Sequence, residues 1–166
     1  MKNKRLISII IAVVIILNVI NIAKHIIFYD SPENAYKVIY NQEVYAVVEG
    51  EKTALVIGEK EPITLIKVGD KYRYPMNSSK VAKVIKNIGD YVIYVYKYSE
   101  MGEYYMTVSA FEGIYPTIVD NRDSVFHRVE EINERGVGTL GYFAYIDGLD
   151  KDYEITIDGE SVKLFD

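Results

Sequence analysis

The chain has no cysteine and no tryptophan, only four prolines and only two histidines. Without cysteine there is no disulfide framework, no thiolate metal site and no lipid-modified cysteine, so stability has to come from packing. The zinc signature H-E-x-x-H is absent, and His127 is the one imidazole available beyond residue 29, too few for the usual ligand sets. The sequence also lacks a P-loop and G-x-G-x-x-G, so no nucleotide or dinucleotide cofactor is implied. Acidic residues are missing from the first 29 positions, which hold four of the 19 basic residues. Residues 30–166 carry 15 basic against 24 acidic residues, a formal charge of −9. A body this acidic lacks the basic face that nucleic acid requires, and like charge holds it off an anionic lipid surface.

What is present begins with LISIIIAVVIILNVINIA, Leu6 to Ala23, preceded by Lys2, Lys4 and Arg5. Eighteen helical residues rise about 27 Å, and extension through Ile26, Ile27 and Phe28 closes the gap to a hydrocarbon core of about 30 Å. The excess of basic residues before the run predicts a cytoplasmic N-terminus, a single pass through the plasma membrane and an extracytoplasmic body. Lys24 and Tyr29 then fall at the outer interface. Asn21-Ile22-Ala23 is a poor cleavage site, which favours an uncleaved anchor. Asn18 and Asn21 share a helical face, and either bond a partner helix or sit where polarity is tolerated. The expected organisation is an anchor at 1–29 and one domain at 30–166.

The body opens on a helix start. Ser31 is a capping residue, Pro32 suits the first helical position and Glu33 the positive helix end, giving about three turns that end near Asn41. From Glu43 the period changes to two. Gly50-Glu51, Gly69-Asp70 and Gly89-Asp90 separate alternating runs at 44–49 and 52–58, 63–68 and 71–74, and 81–88 and 91–99, three consecutive hairpin signals. Further strands are expected over 104–111, 142–146, 153–157 and 161–165. Residues 125–129 suit a strand or a helical face, with the strand preferred and a loop over 133–139. The fold class is therefore mainly β, an antiparallel sandwich or strongly bent sheet with one short helix at its entrance.

Three constellations are candidates for chemistry. Ser124 lies three residues before His127, with Asp120 and Asp123 near, the raw material of a hydrolase. Residues three apart on a strand point to opposite faces, and no nucleophile elbow surrounds the serine, so no catalytic residue is assigned. Asp147, Asp150, Asp152 and Glu154 offer the hard oxygens that calcium prefers, but their spacing fails the EF-hand pattern. The tyrosines are the third. Tyr94, Tyr96 and Tyr98 share one face of a strand, and Tyr72 and Tyr74 flank Arg73 on an earlier one. Tyrosine serves cross-strand packing and also partner recognition, and both roles are open.

The organisation resembles small membrane-anchored extracytoplasmic proteins of low-GC Gram-positive bacteria. Lys2-Asn3-Lys4-Arg5 ahead of the anchor and Ser31-Pro32-Glu33-Asn34-Ala35 after it carry the resemblance, with the ending Tyr142 to Asp166 matching loosely. It implies a β-rich domain outside the membrane and transfers no functional residue. The leading expectation is a non-enzymatic binding or assembly module without cofactor, meeting a protein, peptide or cell-wall glycan through Tyr94, Tyr96, Tyr98, Tyr72, Tyr74 and Arg73. Alternatives are a self-protection or regulatory protein that sequesters a toxin or sensor, and a hydrolase with an atypical site.

Overall fold

The computed structural model describes residues 2–75, 80–98, 102–111, 114–132 and 138–165. The chain is mainly β, and the described residues form two helices and strands that pair antiparallel. Helix α1 (Lys2–Ile26) leads, followed by β1 (Phe28–Tyr29) and helix α2 (Pro32–Tyr40). The first sheet adds β2 (Val44–Glu49), β3 (Thr53–Gly58), β4 (Ile63–Val68) and β5 (Lys71–Arg73), in the order β1-β5-β4-β3-β2. A second contains β6 (Lys80–Ile88), β7 (Tyr91–Tyr98), β8 (Tyr104–Phe111), β10 (His127–Ile132) and β11 (Gly138–Ile146), in the order β10-β11-β8-β7-β6. A third joins β9 (Ile118–Asp120), β12 (Glu154–Ile157) and β13 (Glu160–Lys163), in the order β13-β12-β9.

Helix α2 forms as its sequence dictates. The Ser31 hydroxyl accepts from the Asn34 N–H at 3.1 Å, Pro32 and Glu33 fill the first turn, and Asn41 ends the helix in the left-handed conformation with φ 53°. Asparagine tolerates that conformation better than most side chains. The helix buries Pro32, Ala35 and Tyr36 against the first sheet, in a core with Tyr29, Val56, Ile63 and Leu65. The other face of this sheet sets Val48, Leu55 and Ile57 against Tyr105 and Val129 of the second. The far face of the second sheet, with Ile93, Val95, Met106 and Val108, packs on Ile155 and Ile157 of the third and on Tyr153 just before β12. The layers thus run α2, first sheet, second sheet, third sheet. Because β3 is covered on both faces, all six of its residues are buried, which is why it reads TALVIG rather than alternating.

The structure differs locally from the sequence expectation. Glu49 pairs with Ala54 and the Gly50 N–H donates to the Thr53 carbonyl, so the first hairpin turns on Glu51-Lys52 rather than Gly50-Glu51. The ambiguous segment is a strand at 127–132, leaving Val125 and Phe126 outside it, and β11 begins at Gly138, inside the expected loop; 133–137 lie outside the described residues. Strands β1 and β9, two and three residues long, were not anticipated, because pieces so short carry no alternation.

Among the described residues no helix is long and apolar enough to cross a membrane. In α1 the described side chains are Leu6, Ile7, Ile9 to Val19, Ile22, Ala23 and Ile26, and from Leu6 to Val19 every one of them is exposed. The Asn18 amide donates to the Val14 carbonyl at 2.7 Å, satisfied within its own helix. The structure places the Tyr29 side chain inside the body. It is 4 % exposed, because β1 pairs it with Tyr72 and turns it into the core beneath α2.

Candidate functional site

Alternation on β7 places Ile93 and Val95 in the core and turns Tyr94 and Tyr96 to the opposite face, where both are half-buried. Cross-strand register builds a surface around them: Tyr94 stands opposite Thr107, Tyr96 opposite Tyr105, Val92 opposite Ser109, and Phe143 beside Thr107. Leu55 of β3 and Pro62, just before β4, close it from the first sheet. Together these side chains line a cleft of about 240 Å³. The Tyr94 and Tyr96 rings are nearly parallel, 10° apart in plane with centroids 6.1 Å apart.

Among the described residues the lining contains no charged side chain. Among the described residues the hydroxyls of Tyr94, Tyr96, Thr107 and Ser109 make no hydrogen bond, and the buried Thr64 hydroxyl, on the face that Leu55 shares, has no partner either. Burial, then the neighbouring Tyr94, pushes the Tyr96 phenol above its ordinary value, so it stays a neutral donor at physiological pH. The cleft therefore offers apolar rings plus uncommitted hydroxyls.

One wall depends on a glycine. A Cβ at Gly141 would lie 2.7 Å from Cε2 of Phe143, so the ring rests over bare backbone on the cleft side of β11. Gly141→Ala is expected to drive the ring into the cleft and weaken binding of small ring compounds about tenfold, with an intact fold, measured by NMR titration and circular dichroism. Unchanged binding would mean that Phe143 does not shape the cleft.

Behind Tyr105 the cleft wall is anchored by polar contacts. Its hydroxyl is 2.7 Å from that of Thr53, which donates to Glu103, and Glu103 also accepts from the Lys52 N–H at 2.7 Å. Tyr145, its phenol pushed up to about 12 by burial and then by Glu103, reaches the same carboxylate at 3.5 Å. Lys67 bonds the Gly50 carbonyl at 2.7 Å and pairs with Glu49.

The other sequence candidates are dispersed. Tyr72 and Tyr74 face α2, where Tyr72 bonds Glu49 at 3.2 Å, and alternation puts Arg73 on the opposite face, so none of the three joins Tyr94 and Tyr96. The side chains of Tyr98 and Lys24 lie outside the described ones. Asp120 is committed: one oxygen accepts the Arg122 and Ser124 N–H groups at 3.0 and 2.9 Å, the other the Tyr153 hydroxyl. Asp123 adopts φ 58° in the same turn, His127 is exposed at the start of β10, and among the described residues none of Asp120, Asp123 and Ser124 is hydrogen-bonded to it. The carboxylates considered for calcium do not converge, because Asp150 pairs with Arg122 and accepts from the Asp152 N–H. Among the described residues no group of three or more His, Asp or Glu could hold a metal.

Asp120 links the turn to pH. Burial raises its carboxyl, but hydrogen bonds from Ser124, Tyr153 and Arg122 outweigh that and hold it below the usual 3.8. Its contribution to stability is then present above the unfolded value of about 3.8 and is lost as pH falls through the lower folded value. Asp120→Asn is expected to lower stability by about 1–2 kcal/mol at pH 7, the gap to wild type narrowing below about pH 4, as read from urea midpoints across pH. A pH-independent gap would show that the carboxylate charge is immaterial.

Sequence reasoning placed Tyr94 and Tyr96 on one face but did not name Leu55, Pro62, Tyr105, Thr107, Ser109 and Phe143, which line the cleft with them. The alternation Tyr105-x-Thr107-x-Ser109 was a readable signal of one shared face; which strand it lay beside was not. No protein-family model, curated protein or solved structure matches the chain.

Proposed function

We propose that this chain is a non-enzymatic, membrane-anchored binding module, its body extracytoplasmic, whose cleft receives one uncharged ring-bearing side chain of a protein partner. The observation that carries the reading is the uncharged aromatic cleft with its uncommitted hydroxyls. About 240 Å³ is below the ~300–1,000 Å³ of typical small-molecule sites, which suits a single inserted group. Tyrosine rings with free polar tips bind such a group by stacking and hydrogen bonding together. A non-catalytic role is supported by the way Asp120 is consumed in its own turn.

Anchoring is supported by the 18-residue apolar run of sequence and by the exposure of α1. Its described apolar side chains find no cover on the body, and a helix apolar on every face requires a lipid or protein environment. The basic N-terminal flank and the −9 body support the orientation.

The test is NMR titration of the full chain in micelles with N-acetyltyrosinamide, N-acetylprolinamide and N-acetylglucosamine. Shifts at Thr107, Ser109 and Phe143 with an amino-acid amide, lost in Tyr94→Ala/Tyr96→Ala, are expected. Response to the sugar alone would transfer the site to glycan recognition, and no localised shift with any of them would remove the cleft as a site. Protease added to wall-less cells should digest the body; full protection would reverse the orientation.

A further inference from the structure

The junction between anchor and body has no slack. The Ile27 N–H continues the helix, donating to the Ala23 carbonyl at 3.0 Å, and Phe28 is already paired in β1 with Arg73. Tyr29 is buried in the core, Asp30 pairs with Lys71 at 3.2 Å, and Ser31 caps α2, which packs on the same sheet. No residue from Ile26 to Pro32 is left over to act as a hinge. Flexible tethers need several unconstrained residues to decouple two bodies.

The sheet register bounds the distance from this junction to the cleft. Phe28, Arg73, Ile66 and Thr53 form one row across β1, β5, β4 and β3. Leu55 lies three strands over and two residues along, and Pro62 two strands over and four residues along; at ~4.8 Å per strand and ~3.3 Å per residue each is roughly 16 Å from Phe28. However the body is tilted, the cleft then stands no more than about 20 Å beyond the end of α1, close above a headgroup layer only ~5–8 Å thick.

We infer that the cleft is held within this short height to receive an uncharged ring side chain from the membrane-proximal segment of a membrane-embedded protein; this rests on the reading of α1 as a membrane anchor. A partner confined to the same bilayer gains effective concentration from a taut, well-oriented tether, whereas a soluble ligand gains nothing from it. Phe28, half exposed beside the junction, and the uncharged cleft set an apolar surface where such a segment emerges.

The test inserts a flexible Gly/Ser segment of about 12 residues, with an r.m.s. span of ~19 Å, between Ile26 and Ile27 of the full-length protein. In vesicles of phosphatidylcholine and phosphatidylglycerol, a dye on Glu59→Cys, unique because the chain lacks cysteine, should transfer energy efficiently to headgroup acceptors, and the insertion should cut that transfer by about half or more. In cells, Tyr96 replaced by a benzophenone-bearing amino acid should give adducts with carbonate-resistant proteins, reduced about tenfold by the insertion. Transfer or adducts indifferent to the insertion, adducts only with soluble protein or wall glycan, or no adduct at all would overturn the proposal. Release of the wild-type protein by alkaline carbonate would instead identify the anchoring reading as the failure.

Discussion

Tyr36→Ala is expected to cost about 3–5 kcal/mol, against a total that for domains of this kind is about 5–15 kcal/mol. Tyr36 is fully buried at the centre of the core between α2 and the first sheet. Its ring packs 5.0 Å from that of Tyr40, and its hydroxyl accepts the Lys60 N–H at 2.8 Å, tying the helix to the β3–β4 connection. Truncation removes the ring contacts, leaves a cavity that a nine-residue helix cannot fill by shifting, and orphans the Lys60 N–H. Tyr36→Phe removes only the hydroxyl and is expected to cost about 1 kcal/mol. Urea unfolding of the full chain in micelles, followed by tyrosine near-ultraviolet dichroism, separates the two. Equal losses for both variants would place the stabilisation in the hydrogen bond and contradict the packing argument.

The second large effect is expected at Glu103, 7 % exposed where the first and second sheets meet. Glu103→Leu removes the carboxylate that accepts from the part-buried Lys52 N–H and the buried Thr53 hydroxyl, leaving Thr53 only its contact with the Tyr105 hydroxyl, for a loss of about 2–3 kcal/mol. The site is also crowded: a Cβ at Gly50 would come 2.7 Å from the Tyr105 hydroxyl and 3.0 Å from Glu103, so only glycine lets β2 end this close to β8. Glu103→Gln keeps one acceptor oxygen and should fall between leucine and wild type. Because Tyr105 lines the cleft and bonds Thr53, Glu103→Leu should also blunt the NMR response of Thr107 and Phe143 to ring compounds. A leucine variant as stable as wild type would show that hydrophobic closure of the two sheets suffices there.

Much of the local structure was legible because its causes are local. Ser31, Pro32 and Asn41 bound α2 by capping and backbone preference, and Gly69-Asp70 and Gly89-Asp90 mark hairpins whose flanking residues pair as expected, Val68 with Lys71 and Ile88 with Tyr91. The Tyr94 and Tyr96 face followed from the two-residue period of a strand. The Gly50-Glu51 turn was misplaced by one residue because Glu51-Lys52 carries no distinctive turn chemistry, and its register is settled by Glu103 holding Lys52 and Thr53 from the second sheet. Tyr72, Tyr74 and Arg73 could not be sorted, since alternation separates the faces of a strand without saying which one a helix covers.

The sequence by itself determined the elements: an apolar helix with a basic flank, a capped short helix, and antiparallel strands that alternate wherever one face is less buried. Those features arise within a few residues of backbone preference and hydrophobic period. Only the tertiary structure decided that the strands divide among three sheets, that Tyr29 is buried, and that Leu55 and Pro62 come from one sheet to meet Tyr94, Tyr96 and Phe143 of another. The physical reason is that a strand's hydrogen bonds and period are indifferent to partner identity. The partner is selected by the fit of whole faces, which no single stretch of the chain contains.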